Sequence, residues 1–383
     1  MTDYTSIRHA LHEHPQTAGN EQFAHDMIVK HLQGLHPTKV YTNVGGYGVI
    51  AVWETNDSSN QAIKHSGIPT IAFRADIDAL PIGHRCGHDG HTTILLRLAE
   101  LIDFEYRNSN YEGVELKNHN SKFNILLLWQ PAEETGTGSR AVLDTGILQQ
   151  YNIKSFYALH NLPGYPLSTV VLCPHTFAAA STGIVYRLDG RETHASTPEL
   201  GINPGLAVAE IINKFSGFNE HSLEQSNIQT FRQSTLICVH LGQPAFGTSA
   251  GHAEVMFTLR AFTNAAMEQL LADANNAVEE IAVRYGLTVT RSLVEPFRAT
   301  ENCPDCVKAI EKAAHDMPLN VVYKDIPNRW SEDFAEYLLE FPGAMFGMGS
   351  GEHQPELHHP DYDFPDELIE PAAQLFFRLA IGV

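Results

Sequence analysis

The residues most able to do chemistry lie together in one short stretch, residues 86–91, which holds a thiol, two imidazoles and a carboxylate. Cys86 and His88 stand two positions apart, and in an extended segment such side chains face the same way, so both can reach one ion. A thiolate beside an imidazole is a donor set that suits a late divalent metal. The spacing predicts a metal site. It leaves open a Cys86–His88 thiol nucleophile and a buried cysteine among ordinary loop histidines.

A second chemical feature is the pair of adjacent acids Glu133 and Glu134, which follows an apolar run over residues 123–129. Neighbouring side chains of extended backbone point in opposite directions, so one carboxylate can bind metal while the other faces a substrate. The second can take a proton from water whose pKa a cation lowers. Adjacent acids are often only a solvated pair, but the preceding strand and the glycines at 136 and 138 favour a function. Together the two motifs indicate hydrolysis.

Three further histidines lie in segments that could border the same site. His160 follows a strand-like run at residues 156–159, His358 lies in a C-terminal loop, and His194 lies in the middle of the chain. Taken alone, His160 or His358 is more often an ordinary satisfied histidine, and spacing assigns no role to His194.

Composition excludes several classes of partner. The chain has 383 residues with 45 acids and 25 bases, a net charge of -20, and no basic face for a nucleic acid. An N-terminus without an apolar region and the absence of a membrane-length apolar run predict no signal peptide and no membrane partner. The five cysteines fit a reducing cytoplasm better than a disulfide scaffold. Cys303 and Cys306 have the spacing of a redox pair, although an inert helix start is the favoured interpretation.

The first part of the chain alternates helix and strand patterns, which predicts an α/β fold with sheet strands leading into polar loops. Ligands of such sheets gather where strands end. A helical pattern runs over residues 5–35 and another over 92–102, and short apolar runs of strand type occupy 48–54, 69–75, 123–129 and 156–159. The polar stretch 106–122 predicts an exposed loop or ragged helix end, and the Gly- and His-rich stretch 346–359 predicts a loop.

The middle section has a β-α-β-β-α-β order of its own, the split-βαβ arrangement. Its predicted elements cover residues 182–189, 204–215, 235–241, 253–262, 265–285 and 287–293. A unit of this kind folds compactly, so the sequence predicts a domain over 179–293 inserted into a discontinuous domain of residues 1–178 and 294–383.

In the order of its motifs the chain resembles the aminoacylase-type metal-dependent amidohydrolases of the dinuclear metallopeptidase superfamily, which include hippurate hydrolases, N-acyl-amino-acid deacylases and indole-acetyl-amino-acid hydrolases. The resemblance extends over nearly the whole chain. The segments that carry it are residues 11–15, 74–81, 85–92, 130–134, 158–160, 190–195, 331–334 and 357–360.

The resemblance implies a mixed-sheet, zinc-peptidase-like catalytic domain, a ferredoxin-like lid and dimerisation domain, and two divalent ions drawn from manganese, zinc, nickel or cobalt. It implies that Glu133 is the general base, that His194 polarises the substrate carbonyl, either within one chain or across a dimer, and that Arg260 holds a substrate carboxylate. A surface strand role for Arg260 is equally open. The implied metal ligands are Cys86, His88, Glu134, His160 and His358.

The implied reaction is hydrolysis of the amide bond of a small N-acyl amino acid by metal-bound hydroxide in a cytoplasmic homodimer. A dipeptidase or carboxypeptidase with the same site is the first alternative, and a non-enzymatic metal-binding scaffold is a remote one. Two departures bear on substrate scope. The loop before Cys86 is reduced to residues 82–85, and the lid segment 246–250 lacks the asparagine that relatives carry.

Overall fold

A computed structural model describes residues 2–55, 67–109, 123–219 and 229–382. The chain divides into two compact units, each of which is discontinuous in sequence. The first unit contains residues 1–177, 301–325 and 333–383, and the second contains residues 178–300 and 326–332.

Strands and helices of the described ranges are numbered in chain order. The strands are β1 (Lys39–Val44), β2 (Gly48–Trp53), β3 (Pro69–Asp76), β4 (Asn124–Gln130), β5 (Asn152–Pro163), β6 (Val170–Leu172), β7 (Ala180–Asp189), β8 (Thr193–His194), β9 (Arg232–Leu241), β10 (Thr248–Ser249), β11 (His252–Ala261), β12 (Thr288–Phe297), β13 (Val321–Tyr323) and β14 (Gly343–Gly351). The α-helices are α1 (Tyr4–Glu13), α2 (Gln22–Leu32), α3 (His88–Ser109), α4 (Gly138–Leu143), α5 (Gly205–Ser216), α6 (Asn264–Tyr285), α7 (Pro304–His315), α8 (Ala335–Leu338) and α9 (Ile369–Ile381).

The first unit is built on an eight-stranded mixed sheet in the order β1-β2-β4-β3-β5-β14-β6-β13. The central pairs β4-β3, β3-β5 and β5-β14 are parallel, whereas β1-β2 and β2-β4 are antiparallel. Every residue of β2 and β4 is buried, as expected for strands covered on both faces. The predicted α/β class with a mixed sheet is confirmed.

Helix α3 leads directly out of the cysteine- and histidine-rich segment into the core. Its apolar side chains recur at helical spacing and are buried, so the first turn of the helix is held against the sheet. The buried residues include Ile94, Leu95, Leu98 and Ile102.

The second unit has a four-stranded antiparallel sheet in the order β12-β7-β11-β9 with two helices, α5 and α6, packed against it. Residues of β11 alternate between buried and less buried positions, which is the pattern of a sheet covered on one face. Helix α6 begins after Thr263, whose side chain accepts from the Ala266 N–H at 3.1 Å, and ends at Gly286 with a left-handed φ of 69°.

Two local predictions of the first unit are wrong. The helical pattern over 5–35 is two helices, because Pro15 lacks an N–H and disfavours helical backbone in the residue before it. The Gly-rich stretch predicted as a loop contains most of β14, which is buried between β5 and β6. A Cβ at Gly347 would lie 2.1 Å from the Leu162 side chain, so the absence of a side chain at this position allows close packing.

The polar stretch 106–122 was predicted as an exposed loop or ragged helix end. Residues 106–109 form the last part of helix α3, and the rest of the stretch lies outside the described residues.

The first turn of α3 yields a stability prediction. A Cβ at Gly90 would lie 2.4 Å from the ring of Phe364, which is 1% exposed and part of the hydrophobic core. We expect Gly90→Ala to lower the free energy of unfolding by about 1–3 kcal/mol through overpacking, measured by urea denaturation. Gly247→Ala is the matched control, because nothing lies within 4 Å of its added Cβ. Equal stability of the two variants would contradict this account of the packing.

Candidate metal centre

Cys86 and His88 converge through a tight turn. Gly87 between them has a left-handed φ of 98°, and a Cβ there would lie 2.6 Å from Oδ1 of Asn161. His88 is already the first residue of α3. The sequence argument for an extended segment is therefore wrong, although its consequence holds, since the donor atoms of Cys86, His88 and His160 lie within 4.8 Å of one another.

The structure brings all five predicted ligands together in the first unit. The Cys86 Sγ lies 3.6 Å from Nε2 of His160 and 3.4 Å from Nε2 of His358. His160 lies within β5 rather than after it. Two further groups of donors share members with the first, and their atoms also lie within 4.8 Å of one another. One group is Cys86, Glu134 and His358. The other is His88, Glu133 and Glu134.

Two buried atoms of this cluster make no hydrogen bond in the described part of the chain, namely Nε2 of His88 and Oε1 of Glu134. They stand 3.8 Å apart, and Nε2 of His88 is 3.6 Å from Oδ2 of Asp76. Buried polar atoms are normally hydrogen-bonded, so atoms left unpaired beside a thiol and several acids are suited to a cation. Sulfur, nitrogen and oxygen donors in this combination fit a divalent ion.

The orientation of two imidazoles fits the same interpretation. Nδ1 of His88 lies 3.0 Å from the Asp78 carbonyl oxygen, and Nδ1 of His160 lies 2.9 Å from the Asn161 carbonyl oxygen. A ring that donates from Nδ1 to a backbone oxygen presents Nε2 as an acceptor, which is the usual arrangement of a metal-ligating histidine.

Burial and charge set the protonation of these donors in the absence of an ion. Burial raises the pKa of the Cys86 thiol well above its usual value and lowers the pKa of His160. Burial also raises the pKa of Glu134. A cysteine nucleophile needs a lowered pKa, so the thiol-enzyme alternative loses support. A bound cation would reverse the preference by favouring the thiolate.

The two glutamates lie in a turn over residues 132–136 and not in the extended backbone that the sequence argument assumed. Asp78 holds this turn, because its two carboxylate oxygens accept the backbone N–H groups of Glu133 at 3.1 Å and Glu134 at 3.0 Å. The buried Glu133 carboxylate accepts the backbone N–H of Asp333 at 3.3 Å. The backbone of both glutamates is therefore held by one buried carboxylate.

Sequence reasoning missed a buried ionic network behind these residues. Arg74 donates to Asp76 at 2.6 Å and to Asp333 at 3.0 Å, and Asp76 pairs with Nδ1 of His91 at 2.7 Å. Burial raises the pKa of Asp333 to about 6 despite the nearby Arg74. The sequence could have pointed to this network, because all of its residues lie within the motifs at 74–81, 85–92 and 331–334. No individual roles were predicted for these residues.

His194 and Arg260 belong to the second unit. His194 is exposed on β8, and its Nδ1 lies 3.1 Å from the Ser196 N–H nitrogen and 2.7 Å from the Ser196 hydroxyl. Arg260 donates from Nη1 to the Arg329 carbonyl at 2.6 Å and to the Ser331 hydroxyl at 3.3 Å. These contacts already use one nitrogen of the guanidinium predicted to bind substrate.

The remaining cysteine motif has the properties of a structural helix start. All five cysteines are free thiols. Cys303 is the N-cap of α7, and burial raises the pKa of Cys306 to about 12. Such a thiol is poorly ionised and gives no support to a redox role.

Within the described ranges, no helix combines the length and apolar character required to cross a membrane. The shortened segment before Cys86 forms a turn in which the Gly83 N–H donates to the Leu80 carbonyl at 2.9 Å.

Comparison with known proteins identifies relatives over the full chain. An N-acetylcysteine deacetylase of Bacillus subtilis (strain 168) is 27% identical over 401 residues, which cover 100% of this chain and 97% of the relative. An N-acetyldiaminopimelate deacetylase of Lactobacillus helveticus (strain DPC 4571) is 27% identical over 389 residues, covering 96% of this chain and 93% of the relative.

A solved structure supports the fold. The YXEP protein of Bacillus subtilis, described as a dinuclear metal binding peptidase from the M20 family, superposes with a TM-score of 0.80 at 24% identity and covers 99% of this chain and 96% of that one. The model of Peptidase family M20/M25/M40 matches residues 72–381. The predicted resemblance and the prediction of a hydrolase are confirmed, and the chain belongs to Peptidase family M20/M25/M40.

Proposed function

We propose that this protein is a metal-dependent amidohydrolase that cleaves an N-acyl amino acid into a carboxylic acid and an amino acid. The carrying observation is the cluster of five candidate metal donors, of which Cys86, His88 and His160 are buried, with the Glu133 carboxylate beside it in a chain of this family. Two full-length relatives are named as deacetylases of N-acetylated amino acids, which supports the substrate class.

The proposed ligands of two divalent ions are Cys86, His88, Glu134, His160 and His358. When bound, the ions lower the pKa of water and polarise an amide carbonyl. Manganese, zinc, nickel and cobalt are the candidates, and the thiolate and imidazole donors favour the softer of these ions.

Glu133 is the proposed general base. Its carboxylate takes the proton of the water that attacks the amide carbon and returns that proton to the nitrogen as the C–N bond breaks. Its buried position and the N–H of Asp333 fix the direction of the carboxylate. Asp78 accepts the backbone N–H groups of both Glu133 and Glu134, which holds the backbone of the proposed base beside that of the proposed ligand.

Two residues of the second unit complete the proposal. His194 donates to the oxygen that becomes negative in the tetrahedral transition state. Its Nδ1 is engaged with Ser196, so Nε2 is the donor. Arg260 holds the substrate carboxylate with the guanidinium nitrogens that do not contact the 329–331 segment.

The oligomer and the location are also proposals. A homodimer through the second unit is supported by β9, an edge strand that exposes Leu236, Ile237 and Leu241. A cytoplasmic location is supported by five free thiols.

The experiment that tests the function is a substrate panel. The chelated protein is assayed with N-acetyl and N-benzoyl amino acids and with dipeptides, before and after each candidate metal is added back. Metal-restored release of amino acid from the acyl substrates is the expected result. Cleavage of dipeptides alone would move the function to a peptidase, the alternative that the family name favours. Stoichiometric metal binding without any hydrolysis would support the scaffold alternative.

The role of Glu133 gives a sharp prediction. Glu133→Gln keeps the shape of the side chain but cannot accept the proton, so we expect turnover to fall by roughly 10²–10⁴ while bound metal stays at the wild-type level. Glu340→Gln, an exposed site in the same unit, is the control and should leave both values unchanged. Near-normal turnover of Glu133→Gln would show that another group is the base.

The ligand assignment predicts a metal-linked change in stability. Added metal should raise the unfolding temperature of the wild type, because ions that bind only the folded state stabilise it. Cys86→Ala should lower metal per chain, measured by elemental analysis, and reduce that rise. Cys238→Ala is the control, since Cys238 lies in the second unit and its sulfur contacts only His240 among the described hydrogen bonds. Unchanged metal content in Cys86→Ala would remove Cys86 from the ligand set.

His194 should affect turnover without affecting metal. We expect His194→Ala to retain wild-type metal content, since the residue is exposed and outside the donor groups of the described chain. Loss of one transition-state donor should reduce kcat by about 10²–10³. Loss of metal from this variant would show that His194 had been assigned the wrong role.

A further inference from the structure

Glu21 is a fully buried acid that the proposed mechanism leaves without a role. It is 0% exposed at the start of α2, and its Oε1 accepts the backbone N–H of Ala132 at 2.9 Å across 111 positions of sequence. Ala132 immediately precedes Glu133, so this hydrogen bond acts on the turn that carries the proposed base.

Ala132 is held in an unfavourable backbone conformation. Its φ is 55°, in the left-handed region that residues with a Cβ disfavour. On the other side of the residue, its carbonyl accepts the N–H of Gly138 at 3.1 Å. Such a conformation persists only when the surroundings fix it, and the Glu21 carboxylate is the partner that fixes the N–H.

The hydrogen bond from Ala132 to Glu21 stands next to two similar bonds that Asp78 accepts from the following two residues. Asp78 accepts the N–H groups of Glu133 and Glu134, so three successive backbone donors all end on buried carboxylates. Each of these bonds is charge-assisted and therefore stronger than a bond between neutral groups. Without Glu21, Ala132 can relax to an ordinary conformation, which rotates the peptide that leads into Glu133.

We propose that Glu21 is a positioning residue that holds Ala132 in its left-handed conformation and thereby directs the carboxylates of Glu133 and Glu134. The inference rests on the proposed function for the consequence in turnover, but the effect on the turn is independent of it. Glu21 touches no reacting atom and acts only through the backbone.

The burial of Glu21 is costly for a residue that only supports the fold. Its second oxygen, Oε2, is buried and makes no hydrogen bond among the described residues. Burial, with Asp78 nearby, raises the pKa of this carboxyl. An apolar side chain of similar size removes that cost but leaves the Ala132 N–H without its acceptor, so the test compares turnover per folded molecule and includes a variant that relieves the strain at Ala132.

The test uses Glu21→Leu, Glu21→Gln and the double variant Glu21→Leu with Ala132→Gly. We expect Glu21→Leu to keep its metal content and KM, while kcat per folded molecule falls by about 10–100-fold through misplacement of the base. Glu21→Gln should retain most of kcat, because its amide oxygen still accepts the Ala132 N–H. Glycine adopts positive φ without strain, so Ala132→Gly should recover most of the loss in Glu21→Leu.

A matched control removes a buried acid elsewhere in the same unit. Asp103 is 1% exposed and accepts the backbone N–H of His36 at 2.6 Å, with no contact to the metal donors. Asp103→Leu should leave kcat per folded molecule unchanged. Hydrogen exchange of the Glu133 and Glu134 amides provides a readout that does not depend on activity, and it should accelerate in Glu21→Leu and return toward the wild-type rate in the double variant.

The outcomes separate this inference from the proposed function. Wild-type kcat in Glu21→Leu overturns the inference, and so does a loss of kcat that Ala132→Gly fails to recover. If the wild type hydrolyses no amide, the proposed function fails and exchange alone decides. Faster exchange that Ala132→Gly reverses then supports the positioning role, and unchanged exchange overturns it.

Discussion

A single buried cation connects the two halves of the candidate site. The guanidinium of Arg74 is fully buried on β3 and forms hydrogen-bonded ion pairs with Asp76 and with Asp333, which is 259 positions away in sequence. A buried charge is tolerated only when its partners satisfy it, and the planar guanidinium can serve two carboxylates at once. Asp76 in turn pairs with Nδ1 of His91, and the backbone N–H of Asp333 donates to the Glu133 carboxylate. The remaining site residues are placed around this pairing.

The parallel centre of the sheet explains why the donors meet. Strands β4, β3 and β5 run in the same direction, and Asp76 and Gln130 are register partners where β3 and β4 end. Carboxyl ends of parallel strands open into a common crevice. Acids gathered there repel one another, and Arg74 is their one buried cationic neighbour among the hydrogen bonds described. A divalent ion would relieve that repulsion, and Nε2 of His88 and Oε1 of Glu134, which make no hydrogen bond in the described chain, could bind it.

Local patterns in the sequence predicted the class of fold and the proximity of Cys86 and His88. The full set of converging donors was predicted only from the resemblance to a family. Buried strands are continuous apolar runs, and ligand motifs are short. The backbone between the donors was predicted wrongly, since the turn at Gly87 and the left-handed Ala132 depend on contacts with Asn161 and Glu21, which are distant in sequence. Strand β14 was missed because glycine has low strand preference, and its close packing against β5 is a tertiary property. Arg74 resembled an ordinary charged residue until its partners were known.

The place of β14 in the sheet has a consequence for biosynthesis. This strand lies between β5 and β6, and His358 follows it, so the sheet and the proposed ligand set both stay incomplete until residues 343–358 have been made. Domains generally fold as units during synthesis, and in the described part of the chain the strands of the second unit pair only with one another. That unit can therefore fold on the ribosome while the first unit still waits for its last strand. Binding of metal by the complete proposed ligand set would then come after synthesis of His358, and therefore later than folding of the second unit.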